Sequence, residues 1–257
     1  MDRLALISAA STAASELPRT QINNELANVS TLGFKRSYAN ALRTFKVEGP
    51  GFDSRFKPTN VYADRISLAP GPMTYTGNPM DIAMNGSTVM GVTATNGDLA
   101  FTRRGDLRVN AQGMVVTGTG HAVRGQDGGN ITAPAGFLMH VTEDGSVYAA
   151  NPSRGQGNAS PQLVGRLYLR DASETPLERR PDGLFQPAGP REVSEGLITN
   201  GKETPSVSPN NIEGSNVSAY ESMIKLIEHT RSFETAIKVI KEAKSLDESG
   251  ATMMKVA

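Results

Sequence analysis

The stretch from Val217 to Leu246 leaves the chain little choice of conformation. It contains no proline or glycine, and Ser218 with Glu221 forms an S-x-x-E capping box at its start. Behind the box, Tyr220, Met223, Ile227, Thr230, Phe233, Ile237 and Ile240 follow at steps of three and four, a heptad-like seam. Glu221 with Lys225 and Glu234 with Lys238 are i,i+4 pairs in the favourable order, each worth about 0.3 kcal/mol. The spacing predicts one helix of roughly 45 Å. Such a helix has an apolar stripe that it cannot bury against itself.

The other helical pattern lies at the opposite end of the sequence. Leu4, Ile7, Ala10, Ala14 and Leu17 share one helix face, and Ile22, Leu26 and Val29 resume the pattern one position out of phase. Pro18 sits between the two runs, which predicts a kink or break there, because proline removes a helix hydrogen bond and crowds the preceding turn. Ser30, Thr31 and Gly33 then end the segment.

Between the ends the pattern changes to short β-type runs. "DIAM", "TVMGVTA", "LAFTR", "LRVN", "MVVT", "FLMHVT", "SVYAA" and "LVGRLYLRD" alternate with "NG", "NAQG" and "EDGS" turn signals, and Asn110 to Gly113 reads as a hairpin turn. The 26 glycines and 15 prolines, with aromatics at only 5%, suit a turn-rich β fold. The expected fold is therefore mainly β with α termini: an irregular β barrel or sandwich inserted between terminal helices that pair as a coiled-coil-like domain. The boundaries read as an N-terminal helix over 1–35, an extended connector over 36–70, a β-rich domain over 71–210 and a C-terminal helix over 211–257. The helical domain combines 1–35 with 215–257.

Most chemistry lacks a foothold. The 26 basic and 26 acidic residues cancel, which gives no overall attraction to nucleic acid, and there is no cysteine for disulfides, thiolate metal sites or a thiol nucleophile. "GLITNGKE" approaches a phosphate-binding loop, but Glu203 replaces the magnesium-binding hydroxyl and Pro205 opposes the helix that should follow. "GTGHAVRG" has the wrong glycine spacing for a dinucleotide loop. His121, His140 and His229 share no metal-ligand spacing, and no G-x-S-x-G occurs. A pair of carboxylates for glycan hydrolysis could still come together in the fold. Arg103 and Arg104 read as decoration on a turn. No apolar run reaches the length of a membrane span, and the N-terminal residues make a poor cleavable signal. No catalytic, cofactor-binding or metal-binding residue is expected.

What remains is the pair of apolar seams. They could close on each other as a helical hairpin within one subunit, but two helices leave one side of the pair uncovered, which favours association between subunits. The residues expected at that interface are Leu4, Ile7, Leu26, Asn28, Val29, Phe34, Met223, Ile227, Phe233, Ile237 and Ile240.

Five blocks, in order, resemble the flagellar axial proteins that build rod and hook. They are "LANVSTLGFK" at 26–35, "TGNPMDIAMNG" at 76–86, "FTRRGDLRVNAQGMVVTGTGHAVRG" at 101–125, "DGLF" at 182–185 and "IEGSNVSAYESMIKLIEHTRSFE" at 212–234. The start "MDRL", the length and the lack of a long insertion after "GFK" resemble the F-type, proximal branch of the basal-body rod proteins; distal rod or hook-type subunits are the alternative. The chain departs from the family pattern at Pro18, at Glu25 and at Gly86 to Met90, where a glycine and two aromatics are missing. The resemblance implies a non-enzymatic structural subunit of the drive shaft that transmits torque. It also implies export through the flagellar type III apparatus without a cleaved signal and assembly in the periplasm. The implied partners are copies of itself and other rod subunits, with no nucleic acid, membrane insertion or cofactor. A cell-wall glycan hydrolase that opens a path for the rod is the alternative from another class.

Overall fold

A computed structural model describes residues 16–46, 56–151, 161–188, 198 and 201–255. The chain divides into two compact units. One takes helix α1 (Glu16–Ala27), most of strands β1 (Ser37–Lys46) and β2 (Phe56–Ile66), and helix α2 (Ala219–Lys255). The other takes residues 28–38 and 64–217.

In the helical unit, α2 runs for 37 residues, about 55 Å. It starts where the capping box places it. The Glu221 amide donates to Ser218 Oγ at 3.4 Å, the Ser222 amide donates to the Ser218 carbonyl at 3.0 Å, and Lys225 Nζ lies 2.5 Å from Glu221 Oε1. Pro18 lies within α1, and the residues before Glu16, on which a kink or break there would turn, lie outside the described part. Both helices belong to this unit and touch each other there. The stretch expected as a connector carries β1 and β2, which pair with each other.

The β unit is built on one large sheet. From the end of β2 its order is β14 (Leu177–Arg179), β15 (Phe185–Pro187), β6 (Leu99–Thr102), β5 (Thr88–Thr93), β9 (Ala122–Val123), β8 (Val115–Thr117) and β7 (Leu107–Val109), with β13 (Leu169–Asp171) also paired to β5. This sheet is open. The barrel in the sequence expectation is therefore corrected: β7 pairs with β8 and does not close on the far end of the sheet. Closure needs matched strands with a constant stagger, and these strands are mostly two to four residues long.

Burial follows from the alternation of side chains along β5 and β6. Met90, Val92 and Ala100 face one apolar cluster, while Val89 and Phe101 face another. A strand buried on both faces has no polar alternation, which is why "TVMGVTA" does not alternate apolar with charged residues. The first cluster also receives Met139, Val141, Val147 and Ala149 from the three-stranded sheet of β10 (Leu138–Val141), β11 (Ser146–Ala150) and β12 (Gln162–Arg166), so these two sheets share a core in sandwich fashion. The second cluster packs Phe101 and Val89 with Tyr168, Leu177 and Phe185. Asn110 Oδ1 accepts from the amides of Gln112 and Met114, which makes the expected hairpin turn between β7 and β8.

Two small pairs complete the unit: β3 (Met73–Tyr75) with β17 (Asn211–Glu213), and β4 (Ile82–Met84) with β16 (Val207–Pro209). They tie the last segment of the unit to residues far back in the sequence.

Candidate functional site

Residues 28–38 follow α1 into the β unit, and the last residues of that unit, up to 217, precede α2. These two segments of the β unit are held together by buried charge. After α1, the Thr31 hydroxyl and amide both bond to Asn28, and the chain turns through Gly33 with φ of +67°. The Gly33 amide donates to the Glu213 carbonyl at 2.8 Å. A Cβ on Gly33 would stand 2.5 Å from the backbone carbon and oxygen of Arg103, so only glycine lets this turn lie against that strand end.

The side chains beyond the turn form a triad. Lys35, Arg103 and Glu213 are all fully buried. Lys35 Nζ donates to Glu213 Oε1 at 2.6 Å and to the Ala69 carbonyl at 2.8 Å. Arg103 Nε donates to Glu213 Oε2 at 2.8 Å. Its Nη1 reaches the carbonyls of Gly86 and Thr88 at 2.6 and 3.2 Å, and its Nη2 that of Met84 at 2.6 Å. The Gly71 amide adds a 2.9 Å bond to Glu213 Oε1. Buried ions carry a desolvation cost that only such saturation of donors and acceptors offsets.

Asn216 closes the other side. Its amide nitrogen donates to the carbonyls of Ser67 and Ala69, and its Oδ1 accepts from the Arg36 amide at 2.7 Å. The guanidinium of Arg179 lies 4.2 Å over the ring of buried Phe34 and donates to the Lys35 carbonyl. A Cβ on Gly71 would meet the Gly214 carbonyl oxygen at 2.4 Å, so these two backbones also touch.

The triad holds two cations against one carboxylate. Burial, with the nearby Arg103 charge, lowers the Lys35 pKa from 10.5 to about 8, although Glu213 pulls the other way. The unfolded chain then binds more protons than the folded chain between about pH 8 and 10.5, so this group's contribution to stability rises with pH across that window. Urea unfolding of the chain minus that of Lys35→Met should rise by no more than about 3 kcal/mol over the window. A flat or falling difference would contradict the geometry.

Among the described residues, no three His, Asp or Glu side chains gather as metal ligands. The triad is sealed from solvent, so what it can do is mechanical: it ties three distant parts of the chain. None of its members was among the residues expected at a site or interface, and Arg103 corrects an expectation outright, since the residue read as turn decoration is fully buried. Each lies in a different block of the resemblance, at "GFK", "FTRRGD" and "IEGSNV". That shared membership was the available signal.

Of the expected interface residues, Leu4 and Ile7 lie outside the described part. Leu26 is half-buried in α1, Asn28 and Val29 are half-buried in the turn after it, and Phe34 is buried in the β unit. Met223, Ile227 and Phe233 are 49%, 53% and 37% exposed on α2, and Ile237 and Ile240 are half-buried there.

Comparison with known proteins follows the same blocks. The family model for the flagellar hook protein FlgE/F/G D1 domain matches residues 83–149, which include Arg103, and that for the flagellar basal body rod FlgEFG protein C-terminal region matches 208–253, which include Glu213 and most of α2. The flagellar basal-body rod protein FlgF of Salmonella typhimurium is 34% identical over 226 residues, 88% of this chain and 86% of that protein. The chain belongs to the flagellar basal-body rod protein family, on its F-type branch. FlgF of Escherichia coli is also 34% identical, over 84% of each chain. The rod protein FlgG of Caulobacter vibrioides is 30% identical over 91% of this chain and 92% of its own. The triad thus joins parts of a rod-family chain that are far apart in sequence, with Lys35 and Glu213 separated by 178 positions.

Proposed function

We propose that this chain is a structural, non-enzymatic subunit of the flagellar basal-body rod, at its proximal part. Its terminal helical segments, residues 1–35 with 215–257, form a coiled-coil-like assembly domain, and residues 71–210 form a separate β domain reached through 36–70. The observation that carries this reading, beyond family membership, is the exposed apolar series Met223, Ile227 and Phe233 along α2. These side chains are about half exposed, so covering each on assembly contributes about 1 kcal/mol.

The partners on this reading are copies of the chain and other rod subunits, and the flagellar type III export apparatus delivers it with its N-terminus intact to the periplasm. The rod then serves as a drive shaft from motor to hook. No described helix is long and apolar enough to cross a membrane. The glycan-hydrolase alternative is not favoured, because the relatives are named as rod proteins.

Ile237→Asp should abolish incorporation into rods while export continues and the purified chain keeps its helix content. Normal swimming by a strain with this substitution would remove the seam from the account.

A further inference from the structure

The junction between the incoming segment 28–36 and the outgoing segment 209–217 is held mainly by polar bonds, and its buried apolar side chains are Phe34 and Val217. Neither apolar cluster contains a residue from 28–38 or from 208–217, and Val207 of β16 is the last residue to join one. The exit segment is held by three-residue strand pairs, by the side chains of Glu213 and Asn216, and by backbone bonds. The Gly214 amide donates to the Pro72 carbonyl at 2.8 Å, and the Asn216 amide donates to the Phe34 carbonyl at 3.2 Å. Strand β3, which pairs with β17, leaves Met73 and Tyr75 largely exposed, so that pair adds little apolar burial.

We infer that this junction is a latch: residues 28–36 and 209–217 release together from a β unit that stays folded, with Glu213 as the catch between them. Glu213 touches the incoming segment through Lys35 and Gly33, the sheet through Arg103, and the 67–77 stretch through Gly71. That one side chain links both segments to the sheet, and Asn216 and Arg179 add polar bonds beside it. No member of either apolar cluster lies in the released segments. Local openings of this kind arise where apolar contact is sparse and polar bonds dominate. The device resides in the β unit alone and stands apart from the assembly reading.

Hydrogen exchange on the unmodified full chain at increasing urea tests the latch. The amides of Gly33, Gly71, Gly214 and Asn216 report the junction, and those of Gly91 and Val115, bonded to the carbonyls of Tyr168 and Ile131, report the core. The junction set should exchange at least about 100-fold faster than the core set, with little urea dependence, as expected for an opening that exposes little surface. One shared rate and one shared urea slope would overturn the proposal.

A second variant probes the same opening. Thr74 and Ile212 are register partners on β3 and β17, and the chain has no native cysteine, so Thr74→Cys with Ile212→Cys forms a single cross-link. When oxidised it should bring the junction amides to the core rate. An unchanged gap between the two sets would equally count against a latch.

Discussion

Glu213→Leu should lower the unfolding free energy of the chain by about 3–5 kcal/mol, the cost of stranding a buried charge once its partner is removed. Here the substitution strands two, because Lys35 and Arg103 share that carboxylate. Lys35→Met should cost far less. It leaves the Arg103–Glu213 pair intact, relieves the excess cation, and takes from the Ala69 carbonyl only one of its two donors, since Asn216 also bonds it. Removing all three charges should not restore stability, because Arg103 also satisfies the carbonyls of Met84, Gly86 and Thr88. Urea unfolding followed by far-ultraviolet circular dichroism suits a chain without tryptophan. Equal losses for Glu213→Leu and Lys35→Met would mean that the carboxylate is not the centre of the triad.

Gly33→Ala is the second large effect. The left-handed backbone costs an alanine about 1–2 kcal/mol, and forcing Cβ against the Arg103 backbone adds about 1–3 kcal/mol. Together these predict a loss of about 2–5 kcal/mol. Gly97 supplies the control: its φ is +87° and nothing lies within 4 Å of the added carbon, so Gly97→Ala should show the backbone cost alone. If the two substitutions are equally mild, the close approach of the incoming turn to Arg103 is not what the glycine serves.

The contrast between what was legible in sequence and what was not has a physical pattern. The start of α2 was readable because capping is local: Ser218 and Glu221 are three residues apart. Strands β5, β6, β10 and β11 were readable because short runs of β-type residues stand between turn residues. Strands β14 to β17 have three residues each, too few to show any period. The triad left no local mark at all, since a lysine, an arginine and a glutamate look the same in sequence whether buried or solvated. Gly33 shows the same limit: helix ends commonly carry glycine, and its closeness to Arg103 exists only in the folded chain.

The open sheet also bears on association. A closed barrel has no free edge, whereas this sheet ends at β7, whose outer backbone groups could template an unrelated strand. Three features blunt that edge. β7 is only three residues long, its middle residue is the charged and exposed Arg108, and Arg108 is held across the hairpin by the Gly118 carbonyl at 3.0 Å. A stray strand would find few backbone groups to pair with and would have to crowd a charged side chain. For a rod subunit, which assembles with others, a blunted edge suppresses unwanted strand-to-strand adhesion.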